Sequence, residues 1–270
     1  MQATLDGDRV GGTGSYVRVN GLDVYYEIHG SGFPLVLLHG AMGTIDSCFA
    51  DLLPALATAR QVIAIELQGH GHTADADRPL SYSRMAADVA AVLEALGVGT
   101  ADLVGYSLGG GTALELAIRR PEMVRHLVFY GAASYRRDGL YPEVLAEPEA
   151  GADDLIGTPW HQAYQRVAPD PDHWPVLVAK TRQLDLTFDG WTDAEIRSLA
   201  MPVLLIIGDS DIVRPEHTLA MFRLLGGGVV GDIAGLPASR LAILPGTSHV
   251  GLIDRPDWLQ SMILEFAGSP

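Results

Sequence analysis

Short apolar runs rich in β-branched residues alternate with longer stretches of helical period along most of this chain, and nothing else narrows its fold as much. Residues 35–38, 62–66, 101–105, 124–130, 203–207 and 240–244 read as strands. Helical segments over 48–59, 83–96, 108–119, 216–225 and 256–266 lie between and after them. In 83–96, Met85, Val89, Val92, Leu93 and Leu96 recur on one helical face, and Gly97 supplies a stop; Pro121 ends the segment before it. Strands that are apolar throughout and separated by helices form a mostly parallel α/β sheet covered on both faces. At the start, 16–19 and 24–28 flank Asn20-Gly21, a hairpin dipeptide.

The alternation fails between about 132 and 200, where short helical stretches carry Pro, Asp and aromatic residues but no clear strand. This reads as a helical cap inserted into the sheet. The expected organisation is a flexible Gly-rich N-terminus over 1–14, a core domain formed by 15–131 and 201–270, and the cap at 132–200. No internal repeat is present. Open parallel sheets bind ligands beyond the carboxyl ends of their strands, so functional residues are sought there.

The strongest chemical signal is Gly105-Tyr106-Ser107-Leu108-Gly109, a G-x-S-x-G pattern between an expected strand and an expected helix. Such a turn needs glycines where neighbouring segments approach closely, and it lifts the serine hydroxyl to the amino end of the helix, where N–H groups favour negative charge. A serine hydroxyl needs a base. Of nine histidines, His249 follows the last strand in the loop Pro245-Gly246-Thr247-Ser248-His249, at the carboxyl edge. His126 begins a strand, and His161 and His173 fall in the cap. The supporting acid belongs after another strand between serine and histidine, and Gly208-Asp209-Ser210-Asp211 offers two carboxylates. Asp211 is favoured; Asp209, next to Gly208, is better placed to fix the turn.

On these residues the span from Tyr16 to Phe266 resembles the α/β-hydrolase superfamily, in its esterase, perhydrolase and C–C hydrolase branch. The resemblance implies that His39-Gly40-Ala41-Met42-Gly43 opens an oxyanion hole formed by the N–H groups of Ala41 and Leu108, with Met42 the alternative to Ala41. It gives His39 a loop-ordering role. Two departures stand out. Glu66-Leu67-Gln68-Gly69-His70-Gly71-His72 has Glu66 and Gln68 where the family has Asp and Arg. The Gly226–Pro237 region lengthens the Asp211–His249 separation, as a Gly-rich surface insertion. His70-x-His72 lacks an evident third ligand, so no metal and no cofactor is expected. A substrate pocket is expected to involve Met42, Tyr106, Trp160 and Tyr164. The cap aromatics Tyr135, Trp160, Tyr164, Trp174 and Trp191 either line it or form the cap's own core.

Composition restricts the partners. With 33 acidic and 18 basic residues the net charge is −15, which disfavours nucleic acid and anionic membrane surfaces. The single cysteine, Cys48, fits a reducing compartment, and no apolar run reaches the ~20 residues of a spanning helix, so a cytoplasmic location is expected. The expected activity is hydrolysis of a small to medium carboxylic ester through an acyl-serine. A C–C hydrolase, lactonase, cofactor-free perhydrolase or small-molecule sensor would keep the same triad. The partner is a small-molecule ester.

Overall fold

The computed structural model describes residues 14–131, 134–146 and 151–268. Apart from Gly14, the expected flexible N-terminus lies outside the described residues. The chain opens with strands β1 (Ser15–Val19) and β2 (Leu22–His29), joined at Asn20-Gly21 with φ of 49° and 84°. Both turn residues occupy the left-handed region that a two-residue hairpin requires. Next come β3 (Pro34–Leu38), helices α1 (Ile45–Phe49) and α2 (Leu52–Ala57), β4 (Gln61–Ile65) and α3 (Tyr82–Ala95). Strand β5 (Ala101–Tyr106) leads into α4 (Leu108–Arg119), and β6 (Val124–Tyr130) follows. Short helices α5 (Pro142–Ala146) and α6 (Pro159–Val167), the longer α7 (Trp174–Thr187) and α8 (Asp193–Arg197) precede β7 (Val203–Ser210). Helix α9 (Pro215–Leu224), α10 (Gly231–Ala234), β8 (Arg240–Ser248) and α11 (Pro256–Ala267) complete the order.

The eight strands lie in the order β1-β2-β4-β3-β5-β6-β7-β8. The β1–β2 and β2–β4 pairs are antiparallel, and the other pairs are parallel. Alternation along each strand divides the core between the two faces. Val36, Leu38 and Leu103 pack with α3, α4 and α7 on one side; Leu35, Leu37 and Val104 pack with α1, α2 and α11 on the other. Residues 134–146 and 151–200 add no strand to the sheet. Their helices lie over its carboxyl edge, held to the core by Lys180, whose Nζ donates to Asp75 Oδ2 at 2.5 Å and to the Ala76 and Arg78 carbonyls.

Three elements differ from the sequence expectation. The helix expected over 48–59 is two helices, because Pro54 has no N–H to bond the Ala50 carbonyl and its ring would clash with it. Thr44 caps the earlier start at Ile45 by accepting from Ser47 N at 3.0 Å. Strands β7 and β8 run further than expected, to Ser210 and Ser248, because Asp209 accepts from Gly246 N at 2.8 Å and Thr247 N at 3.2 Å and ties the two ends together. The Gly-rich insertion contains α10. Among the described residues, no helix is long and apolar enough to cross a membrane.

Candidate active site

Ser107 stands where β5 turns into α4, with φ 51° and ψ −114°, a conformation L-residues rarely adopt. Two glycines make the turn possible. A Cβ on Gly105 would lie 2.4 Å from the Gly109 carbonyl oxygen, and one on Gly109 would lie 2.1 Å from that of Leu38. Ser107 N donates to the Tyr130 and Gly131 carbonyls at 3.0 and 3.1 Å, fixing the turn against the end of β6. Leu108 begins the helix, so its N–H has no carbonyl a turn earlier to bond.

His249 directly follows β8 rather than ending a loop, since the extension of that strand carries it to the sheet edge. Its Nε2 lies 3.1 Å from Ser107 Oγ and its Nδ1 2.8 Å from Asp211 Oδ1. An ionised carboxylate only accepts, so the proton sits on Nδ1 and the Nε2 lone pair faces the serine hydroxyl. The Asp211 side chain is fully buried and further fixed by donors from Ile212 N at 2.8 Å and Gly208 N at 3.3 Å. Gly208 is required here, as a Cβ would lie 1.9 Å from the Thr247 carbonyl oxygen. Asp209, by contrast, is exposed and spends both oxygens on β8 amides, which hold its carboxyl below the ordinary range. Asp211 meets the imidazole and Asp209 the β8 backbone.

Facing the serine, residues 39–43 form a loop in which Met42 adopts φ 58°. His39 is fully buried beneath it, accepting from Leu67 N at 3.0 Å through Nε2 and donating from Nδ1 to the Gly40 carbonyl at 2.8 Å. Burial, aided by the neighbouring His70, pushes its pKa down to about 3, so the imidazole is neutral and its tautomer is set by these two partners. Glu66 fastens the following segment: Oε1 accepts from Ile45 N at 3.1 Å, while Oε2 accepts from His72 N and Nδ1 at 2.6 and 2.9 Å. That bond raises the His72 pKa. Among the described residues, the N–H groups of Ala41, Met42 and Leu108 donate to no acceptor. His70 turns away from His72, its Nδ1 bonded to the Gln68 carbonyl, and no three His, Cys, Asp or Glu converge among the described residues.

A cavity of about 510 Å³ opens over Ser107. Ala41, Met42 and Leu108 form its floor, with Tyr82, Phe188 and Trp191 among its walls. Of the expected pocket residues only Met42 lines it, and three corrections follow. Tyr106 points to the opposite face of β5, stacks on His249 with centroids 5.3 Å apart and donates to its carbonyl at 3.1 Å. Tyr164 is buried beside Trp174, its hydroxyl donating to the Asp170 carbonyl at 3.3 Å. Trp160 is only partly buried and packs on the main core rather than in the cavity. Of the five aromatics weighed for the cap, Trp191 alone lines the cavity, its indole N–H held by Glu115 at 2.6 Å. Tyr82 and Phe188 gave no signal in sequence: one begins a helix of the core, the other directly follows α7, and only the fold joins them, with ring centroids 4.6 Å apart.

Comparison with known proteins bears on this arrangement. The α/β hydrolase fold profile matches residues 34–152. The pimeloyl-[acyl-carrier protein] methyl ester esterase of Neisseria meningitidis serogroup B is 32% identical over 85% of this chain and 91% of its own length. The 2-hydroxy-6-oxo-6-(2'-aminophenyl)hexa-2,4-dienoic acid hydrolase of Metapseudomonas resinovorans is 26% identical over 93% of this chain and 89% of its own. Among solved structures, carboxylesterase CesB from Bacillus subtilis superposes with a TM-score of 0.71 at 21% identity, covering 97% of this chain and 93% of that one. With its sheet order, its serine turn and relatives matched over nearly their full length, this chain belongs to the α/β-hydrolase fold family.

Proposed function

We propose that the protein is a serine esterase cleaving a small to medium carboxylic ester through an acyl-serine intermediate. The observation that carries this reading is the continuous Asp211–His249–Ser107 hydrogen-bond chain, at 2.8 and 3.1 Å, on the floor of an apolar cavity. Ser107 Oγ attacks the ester carbonyl as His249 Nε2 takes its proton. Asp211 keeps the imidazole in the required tautomer and stabilises the imidazolium, and His249 then protonates the departing alcohol. The undonated N–H groups of Leu108 and of Ala41 or Met42 face the carbonyl oxygen as it becomes an oxyanion. Water repeats the sequence to release the acid. The helices of 134–200 act as a cap, supplying the walls that choose the acyl chain. Esterase and hydrolase names among the relatives support the reaction class.

Ser107→Ala tests the reading. It is expected to keep the fold and lower turnover by roughly 10⁴-fold or more, because triad residues act as one unit. A fluorophosphonate should label Ser107 alone, and His249→Ala should slow that labelling. A panel of 4-nitrophenyl esters, lactones and β-diketones separates ester from lactone and C–C bond cleavage. A Ser107→Ala variant retaining more than a tenth of the activity overturns the mechanism.

A further inference from the structure

The cavity over Ser107 is lined mostly by apolar side chains, and its charged members are Arg136, Arg137, Arg182 and Asp185. Arg136 is matched by carboxylates: its Nε donates to Asp138 at 3.2 Å and its guanidinium lies 3.7 Å from Asp193. Arg182 and Asp185 also have interactions of their own. Arg137 differs. Its Nη1 donates to the Leu186 carbonyl at 3.2 Å, and no carboxylate among the described residues pairs with it. A guanidinium carries five N–H donors in a planar fork. Arg137 is half-buried as a residue, its bond to the Leu186 carbonyl is exposed, and Leu140 and Leu186 line the same cavity. No described carboxylate takes up the remaining donors of this guanidinium, and an anion entering the cavity can use them.

We infer that Arg137 is a specificity residue that binds a carboxylate at the far end of the acyl chain whose ester carbonyl lies at Ser107. The inference rests on the esterase reading of the same cavity and adds a substrate class to it: monoesters of dicarboxylic acids. Arg137 stands six residues beyond Gly131, whose carbonyl contacts Ser107 N, so the chain confines it to within about 20 Å of that contact. A cavity of about 510 Å³ accommodates an acyl chain bridging the two points. The net charge of −15 repels free anions at long range, so a preference for an acidic substrate has to come from a local cation lining the cavity. The guanidinium fork matches a carboxylate with two parallel hydrogen bonds.

The test compares monomethyl adipate with methyl hexanoate, near-equal in length but differing in terminal charge, by proton release in a pH-stat. The wild-type protein should favour the acid in kcat/KM. Arg137→Gln should lower the acid-to-neutral ratio by about 10- to 100-fold, mostly through KM, and Arg137→Lys should retain part of it. Arg166→Gln, an exposed arginine on α6 outside the cavity, should leave the ratio unchanged. A wild-type preference for methyl hexanoate, or an unmoved ratio in Arg137→Gln, overturns the inference while the esterase reading stands. If neither ester is hydrolysed, the esterase reading has failed. Calorimetry of adipate on Ser107→Ala then decides the subsite alone: binding lost on adding Arg137→Gln supports it, and no binding to Ser107→Ala overturns it.

Discussion

Asp211 Oδ1 and the two ring nitrogens of His249 hold the imidazole in line with the Ser107 hydroxyl. The carboxylate of Asp211 is buried and its second oxygen is held by Gly208 N, so it cannot turn away from the imidazole without leaving a buried charge unpaired. Asp211→Asn should lower kcat by about 10²- to 10⁴-fold with little change in KM, since the amide favours the wrong tautomer. Asp209→Asn should instead lower the melting temperature and keep kcat, because its oxygens serve the Gly246 and Thr247 amides. Both variants measured on one ester, beside their melting curves, check the assignment. The reverse outcome would exchange the two roles.

At the scale of elements, the site depends on how the 134–200 helices are seated. The Lys180 ammonium on α7 has three oxygen acceptors on the 75–78 segment, and His173 Nε2 bonds the same Asp75 carboxylate at 2.9 Å. Burial alone would raise the Asp75 pKa, but the hydrogen bonds from Lys180, Gln68 and His173 outweigh it and hold it down. Helix α7 also presents Val178 and Thr181 to the cavity, so releasing it should widen the substrate site. Lys180→Met is expected to raise KM more than it lowers kcat and to hasten proteolytic cutting within 134–200. Unchanged KM and unchanged cutting would show that the seating comes from apolar packing alone.

Much of this layout was legible in the sequence because its causes are local. Parallel strands buried on both faces must be apolar along their length, and the serine turn needs glycine at 105 and 109 whatever surrounds it. The missed features arise between segments distant in the chain. The lengths of β7 and β8 depend on Asp209 meeting amides 37 and 38 residues away. Tyr106 adjoins Ser107 in the chain, but strand alternation turns adjacent side chains to opposite faces and sends it to His249 instead of the pocket. Arg136-Arg137 carries no sequence signal for the cavity, since only the fold brings both to its lining. Pro54 was the exception, a local signal strong enough to have split the expected helix.

For the whole molecule, titratable side chains are fully buried at both ends of the sheet. Opposite the catalytic edge, Asp102 is fully buried against Arg60, Arg125 and His126. Burial would raise its pKa, but hydrogen bonds from Arg125, Arg60 and His126 overcome that and keep it low. The same arginines bond the Ala267 and Gly268 carbonyls and so fasten the end of α11. At the catalytic end, burial lowers His39 to about 3 and His70 to about 4. Both therefore stay neutral in the folded protein but take up protons below about 6.5 once unfolded. Stability should be fully present above pH 6.5 and fall as pH drops from there toward 4, by up to about 1.4 kcal/mol per pH unit for each histidine. Urea titrations at pH 7, 6 and 5 should show the decline, and His70→Gln should remove about one proton's share of the slope. A slope identical in the variant would exclude His70 as a source.

The position of His249 just after β8, downstream of every other described strand, sets the order in which the proposed triad is assembled during synthesis. Ser107 and its strained turn need only β3, β5, β6 and α4, all encoded upstream. The base arrives later, on a strand that pairs with β7 alone. A nascent or truncated chain ending before β8 would thus carry a nucleophile with no base to activate it. On the esterase proposal, reactivity toward esters is withheld until β8 pairs with β7, and the appearance of phosphonate labelling during cell-free translation would mark that moment.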